Sequence, residues 1–169
     1  MKRSSTYGNR GMALEMYVIT SNMMYRNRGI ALISKIPIPI TVLKIINGRI
    51  KDGFYEDKSI VDFVGNYKGK HIAFDTKSTE NKTSFPLKNI EEHQYEYLRN
   101  NHQQQGVSFI LVEFAKHHEI YILRFEDLDK WWNEAKQGGA KSIKYEWFKE
   151  NCYLCTADRG IALDYLQGI

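Results

Sequence analysis

The chain has 169 residues, the size of one ordinary domain. Hydrophobic residues make up 43%, aromatics 13% and charged residues 26%, a balance that suits a folded soluble protein. No apolar run reaches the ~20 residues that span a bilayer, and Met1-Lys2-Arg3-Ser4-Ser5 lacks the apolar stretch of a signal peptide, so a soluble cytoplasmic protein with no membrane partner is expected. The net charge of +4 is unevenly spread: residues 1–90 hold fifteen Lys and Arg against seven Asp and Glu, residues 91–169 nine against thirteen. The basic first half points to a polyanionic partner.

Residues 1–8 read as a short, basic, flexible tail. Residues 10–27 read as a helix capped by Asn9, with Met12, Met16, Ile19 and Met23 as its apolar stripe and Gly29 as its stop. Residues 30–36 read as a buried strand. Pro37-Ile38-Pro39 then excludes a central strand. Residues 37–58 form an extended, basic and apolar insertion, read as a long hairpin turning at Asn47-Gly48. A floppy loop would carry fewer residues like Ile40, Val42, Leu43, Ile45 and Ile46.

Residues 59–66 and 70–78 read as a hairpin turning at Tyr67-Lys68-Gly69. A second helix is expected over 88–104, with Ile90, Gln94, Tyr97 and Asn101 on one face and Glu91 and Glu92 in its first turn. Residues 107–114 and 119–124 make another hairpin, 126–136 a third helix, and 143–169 a mixed tail. The order predicts a mixed central sheet with helices packed on it. Cys152 and Cys155 form a lone C-x-x-C without further ligands in reach, read as ordinary thiols. Trp131 and Trp132 read as core or dimer packing.

Asp62, Asp75 and Lys77 carry the candidate chemistry. Alternation along a strand turns Asp75 and Lys77 to one face. Asp62 lies among Ile60, Val61, Phe63 and Val64 on the neighbouring strand. Acids in such apolar strands need partners, and a divalent cation such as Mg²⁺ suits two carboxylates. A cation there would activate water and bear charge in phosphodiester hydrolysis, with Lys77 stabilising the transition state. An ordinary cross-strand Asp–Lys pair has the same spacing. Glu15 could approach this site from the first helix, and His93 could touch phosphate. Lys82, Thr83 and Ser84 could bind phosphate after the catalytic strand. Lys2, Arg3 and Arg10 are expected on the DNA backbone, and Lys35, Lys44, Arg49 and Lys51 extend the basic surface.

The arrangement of helix, strand, D…(D/E)xK hairpin and helix resembles the restriction-endonuclease-like PD-(D/E)xK nuclease core, an α/β fold. Residues 7–15 (Tyr-Gly-Asn-Arg-Gly-Met-Ala-Leu-Glu), 66–77 (Asn-Tyr-Lys-Gly-Lys-His-Ile-Ala-Phe-Asp-Thr-Lys) and 80–87 (Glu-Asn-Lys-Thr-Ser-Phe-Pro-Leu), followed by His93-Gln94, resemble the motifs of RecU-type Holliday junction resolvases. These are enzymes of Gram-positive bacteria and some of their phages. The resemblance runs from about residue 7 to 128. It implies metal ligation by Asp62, Asp75 and Gln94, with Lys77 catalytic and Mg²⁺ (or Mn²⁺) as the ion. It also implies that residues 37–58 form a protruding stalk that enters the junction, and that a homodimer makes two symmetric nicks in four-way DNA. The chain departs from the family pattern twice, with Asp75 where Glu is usual and Ile60 where Thr is usual. Both suggest a shifted or weaker metal site. A junction-binding protein with a decayed site, or a nuclease of linear duplex, are the alternatives.

Overall fold

The computed structural model describes residues 5–55 and 60–169, with side chains over 11–54 and 60–169. In chain order the elements are α1 (Ser5–Asn27), β1 (Ala31–Lys35), β2 (Ile40–Ile46), β3 (Arg49–Tyr55), β4 (Phe63–Tyr67), β5 (Lys70–Thr79) and β6 (Ser84–Pro86). After a 3₁₀ turn at Leu87–Asn89 come α2 (Glu92–Gln103), β7 (Val107–Phe114), β8 (Glu119–Arg124), α3 (Phe125–Lys136), β9 (Ser142–Lys144), α4 (Tyr145–Asn151) and β10 (Tyr153–Cys155), with a final 3₁₀ turn at Tyr165–Gly168. Among the described residues no helix is long and apolar enough to cross a membrane.

Six strands form one mixed sheet in the order β1-β4-β5-β7-β8-β10. Among the described strands only β5 and β7 run parallel, in register from Ile72↔Val107 to Thr79↔Phe114, and α2 makes their crossover. Period-two alternation splits the sheet into two apolar faces. Phe63, Ile72, Phe74, Phe109 and Leu111 pack with α1 and the C-terminal residues Ile161, Leu163, Tyr165 and Leu166. Ala73, Ile110 and Val112 pack on the other side with α2, α3 and α4. Gly65 is where β1 crowds β4: a Cβ there would lie 2.1 Å from the Leu32 carbonyl oxygen, so only glycine fits.

Helix α1 differs from the sequence expectation at both its start and its buried face. It begins at Ser5, so Asn9 lies inside it rather than capping it, and residues 5–8 are helical rather than tail. The buried face is Leu14, Val18, Ser21, Asn22 and Tyr25, four residues apart or one turn on. Of the expected stripe, Met12, Met16 and Met23 face outward, at 60%, 57% and 54% exposed, while Ile19 is half-buried against the core. The reason is polar: this face serves the C-terminal segment with hydrogen bonds that hydropathy does not register. Tyr25 Oη donates to Asp164 Oδ1 at 2.9 Å, the Leu163 amide donates to Ser21 Oγ at 2.9 Å, and Tyr165 Oη donates to Asn22.

The insertion folds as the two-stranded ribbon β2–β3, from Ile40↔Tyr55 to Ile46↔Arg49. Asn47 (φ 49°) and Gly48 (φ 72°) both sit in the left-handed region, as a two-residue type I′ turn requires. Among the described residues the ribbon joins no strand of the main sheet. Ile40, Val42, Leu43, Ile45, Ile46, Ile50 and Phe54 are all exposed on it.

The strand expected over 59–66 begins only at Phe63. Asp62 and Ile60 precede it, and residues 56–59 lie outside the described residues. Two further strands, β6 and β9, pair Ser84–Pro86 with Ser142–Lys144 and anchor the segment after β5 to the tail.

Candidate functional site

The site grows from the end of the β4–β5 ladder. Phe63 pairs with Phe74, so Asp62 and Asp75 are the next positions along that register. There the ladder stops being made by backbone alone. Asp62 Oδ2 accepts hydrogen bonds from the Thr76 amide (3.0 Å) and the Thr76 hydroxyl (2.9 Å). A carboxylate thus stands where a further strand carbonyl would stand, which explains why β4 begins one residue later.

Asp75 is fully buried in the middle of β5. Its Oδ2 accepts from Gln94 Nε2 at 2.7 Å. Its Oδ1 lies 2.6 Å from Lys77 Nζ but makes no hydrogen bond of good geometry. Its pKa is pushed up to about 7: burial is the largest cause, the Lys77 ammonium opposes it, and the Asp62 charge reinforces it. Asp75 and Lys77 share a face, as their spacing predicts.

Gln94 reaches Asp75 from the first turn of α2, where it has a second task. Its Oε1 accepts from the Glu91 amide at 3.0 Å, and the Glu91 side chain accepts from the Gln94 amide, making a reciprocal capping box. The side-chain oxygen is therefore committed to the helix cap, and the NH₂ group faces Asp75.

The remaining expected residues lie on several elements. Glu15 on α1 ion-pairs with Lys35 at the end of β1. Lys35 pairs in register with Phe63, so the pair lies at the same end of the sheet as Asp62 but toward the α1 face. His93 Nδ1 lies 3.6 Å from Glu91 Oε2. Lys82, Thr83 and Ser84 form the turn into β6, and part of their hydrogen-bonding capacity is spent internally. The Thr83 amide and hydroxyl donate to Asn81 Oδ1 at 3.0 and 3.1 Å, and Asn81 Nδ2 donates to Ser84 Oγ at 3.0 Å. The Lys82 side chain is exposed while its carbonyl meets the His117 ring at 2.8 Å. Lys44, Arg49 and Lys51 are exposed on the ribbon. Lys2, Arg3 and the Arg10 side chain lie outside the described residues.

Trp132 stacks on Tyr95 at 4.6 Å in the core, and Trp131 meets Trp147 edge-on. Cys152 and Cys155 are free thiols. Burial pushes Cys152 up to about 12 and Cys155 higher still, so neither is a reactive thiolate. Sequence reasoning missed Thr76 and Glu91. Alternation assigns Thr76 to the opposite face, and only the bend at Asp62 brings a carboxylate to it.

Among the described residues no three His, Cys, Asp or Glu side chains converge as a cation cluster. The donors nevertheless fit a hard divalent cation: two carboxylates at the end of one register, one of them with a buried oxygen lacking a hydrogen bond.

Comparison with known proteins agrees with the motifs. The model of the family Recombination protein U matches residues 9–169. A protein of Pediococcus pentosaceus named Holliday junction resolvase RecU is 36% identical over 168 residues, covering 96% of this chain and 84% of that one. Its namesakes in Staphylococcus saprophyticus and Levilactobacillus brevis are 37% and 34% identical, covering 96% and 98% of this chain and 81% and 85% of theirs. The chain belongs to the Recombination protein U family.

Proposed function

We propose that this chain is a metal-dependent endonuclease that resolves four-way DNA junctions in recombination and repair, with a restriction-endonuclease-like PD-(D/E)xK core. The observation that carries the reading is the constellation at the end of the β4–β5 register: Asp62, buried Asp75 and Lys77 at 2.6 Å from it. Asp62 and Asp75 would hold Mg²⁺ (Mn²⁺ is an expected substitute), and that ion would supply an activated water and bear phosphate charge. The Lys77 ammonium stabilises negative charge as it develops on the scissile phosphate. Thr76 and Gln94 hold the two carboxylates without reorganisation.

Lys35, Lys82, Thr83 and Ser84 would contact phosphates, with Lys2, Arg3 and Arg10 extending the contact along the backbone. Glu15 supports the edge of the site by holding Lys35. The β2–β3 ribbon, apolar and exposed with Lys44, Arg49 and Lys51 upon it, would act as the stalk that enters the open centre of a junction. Two coordinated cuts need two equivalent sites, which a two-fold dimer supplies. The outward methionines of α1 offer an apolar surface for the second copy.

The test is cleavage of a synthetic four-way junction with Mg²⁺, comparing wild type with Asp75→Ala. Two symmetric nicks are expected from the wild type and none from the variant. Equal cutting by both would refute the assigned site, and junction binding without cutting under any divalent ion would favour a decayed, non-cleaving protein.

A further inference from the structure

Building on the reading of Lys82 as a phosphate contact, we infer that His117, in the turn between β7 and β8, is a positioning residue for DNA: it clamps the backbone at Lys82 and so presents the Lys82 ammonium to a phosphate. The ammonium is available for that task. Lys82 is exposed and makes no ion pair among the described residues, whereas Lys35 is already engaged by Glu15.

Residues 80–83 belong to no helix or strand, so their shape must be imposed by neighbours. Two consecutive carbonyls are gripped. The Lys82 carbonyl meets His117 Nε2 at 2.8 Å, and the Thr83 carbonyl accepts from the Tyr145 amide at 2.8 Å. A carbonyl oxygen can only accept, so Nε2 carries the proton. The two grips act as one unit, because the His117 ring lies flat on the Tyr145 ring, with centroids 4.1 Å apart and planes 6° apart. Each half is itself held. The Tyr145 hydroxyl donates to Glu119, and the His117 amide donates to the Phe114 carbonyl at 2.9 Å across the turn. Immediately beyond, Ser84 pairs with Lys144 in the β6–β9 ladder. A lysine on a backbone fixed in this way gives up less freedom on meeting DNA than one on a free loop.

Phenylalanine at position 117 keeps a ring to stack on Tyr145 and removes the donor. Glutamine keeps a donor and removes the ring. The experiment is a double-mutant cycle on the full-length protein: the Kd for a fluorescent synthetic four-way junction, read by anisotropy in chelator, for wild type, His117→Phe, Lys82→Ala and the double variant, with a thermal melt of each. His117→Phe should melt like wild type and bind about 5- to 30-fold more weakly, the cost of ordering one residue's backbone at binding. In the Lys82→Ala background the same substitution should change Kd by less than about twofold, since its effect runs through Lys82. His117→Gln should bind close to wild type. Unchanged binding in His117→Phe, or an equal loss in both backgrounds, overturns the inference. If His117→Phe melts early, His117→Leu takes its place in the cycle, set against His117→Gln as a donor-bearing side chain of similar size, and the same outcomes decide. A wild type that binds no junction, or a Lys82→Ala protein that binds as well as wild type, would instead remove the phosphate-contact reading on which the inference rests.

Discussion

Asp75→Asn should abolish a pH dependence of stability that the metal-free protein owes to one buried carboxyl. The Asp75 pKa rises from 3.8 to about 7 in the folded chain. At about 1.4 kcal/mol per pH unit, the ionised folded form is disfavoured by roughly 4 kcal/mol. The sign follows from the direction of the shift. Because the folded value lies above the unfolded one, the contribution is fully present below about pH 3.8. It is lost progressively as pH rises and is gone once pH passes about 7. Other acids move stability the opposite way, so the informative quantity is the difference between variant and wild type. Urea unfolding of both proteins in chelator between pH 4.5 and 8.5 should show the variant gaining on the wild type up to neutrality and running parallel above it. A divalent ion at pH 8 should then stabilise only the wild type, by about 2.7 kcal/mol at a hundredfold excess over its Kd. Parallel stability curves across the whole range would mean that the buried carboxyl is not strained, and the reasoning would be refuted.

Replacing residues 40–55 by a short turn should leave the melting temperature unaltered, since among the described residues the ribbon pairs only with itself, while abolishing preference for a four-way junction over duplex in competition gel shifts. Retained preference would remove the ribbon from DNA recognition. Met16→Glu places a charge among the outward methionines of α1 and, on the proposed dimer, should halve the mass read by light scattering without changing the circular dichroism melt. An unchanged mass would remove this face of α1 from the proposed dimer.

Both hairpins around Lys68-Gly69 and Asn47-Gly48 were legible because their turns demand left-handed residues that the sequence announces. The pairing of Asp75 with Lys77 followed from strand alternation alone. Features that depend on partners distant in sequence were not legible. β6 exists because Ser84–Pro86 meets Ser142–Lys144, and β10 because Tyr153–Cys155 meets β8. Neither short segment carries enough periodicity to declare itself. The buried face of α1 was misread because Ser21 and Asn22 are core residues by hydrogen bonding, a property that hydropathy scores as solvent-facing. In the site, the bend that frees Asp62 from the ladder depends on Thr76 answering it from the next strand, which spacing cannot convey.

The clasp between α1 and the last ten residues also bears on how the molecule comes into being. Tyr25 meets Leu163 and Asp164 across separations of 138 and 139 positions, so one wall of the core is supplied by a segment far away in sequence. During synthesis the first helix emerges long before the residues that cover it, and a loop of that span closes slowly. Until residues 161–166 have been made, the α1 face of the sheet that carries Asp75 lacks part of its cover, so that half of the core closes only when this late segment arrives.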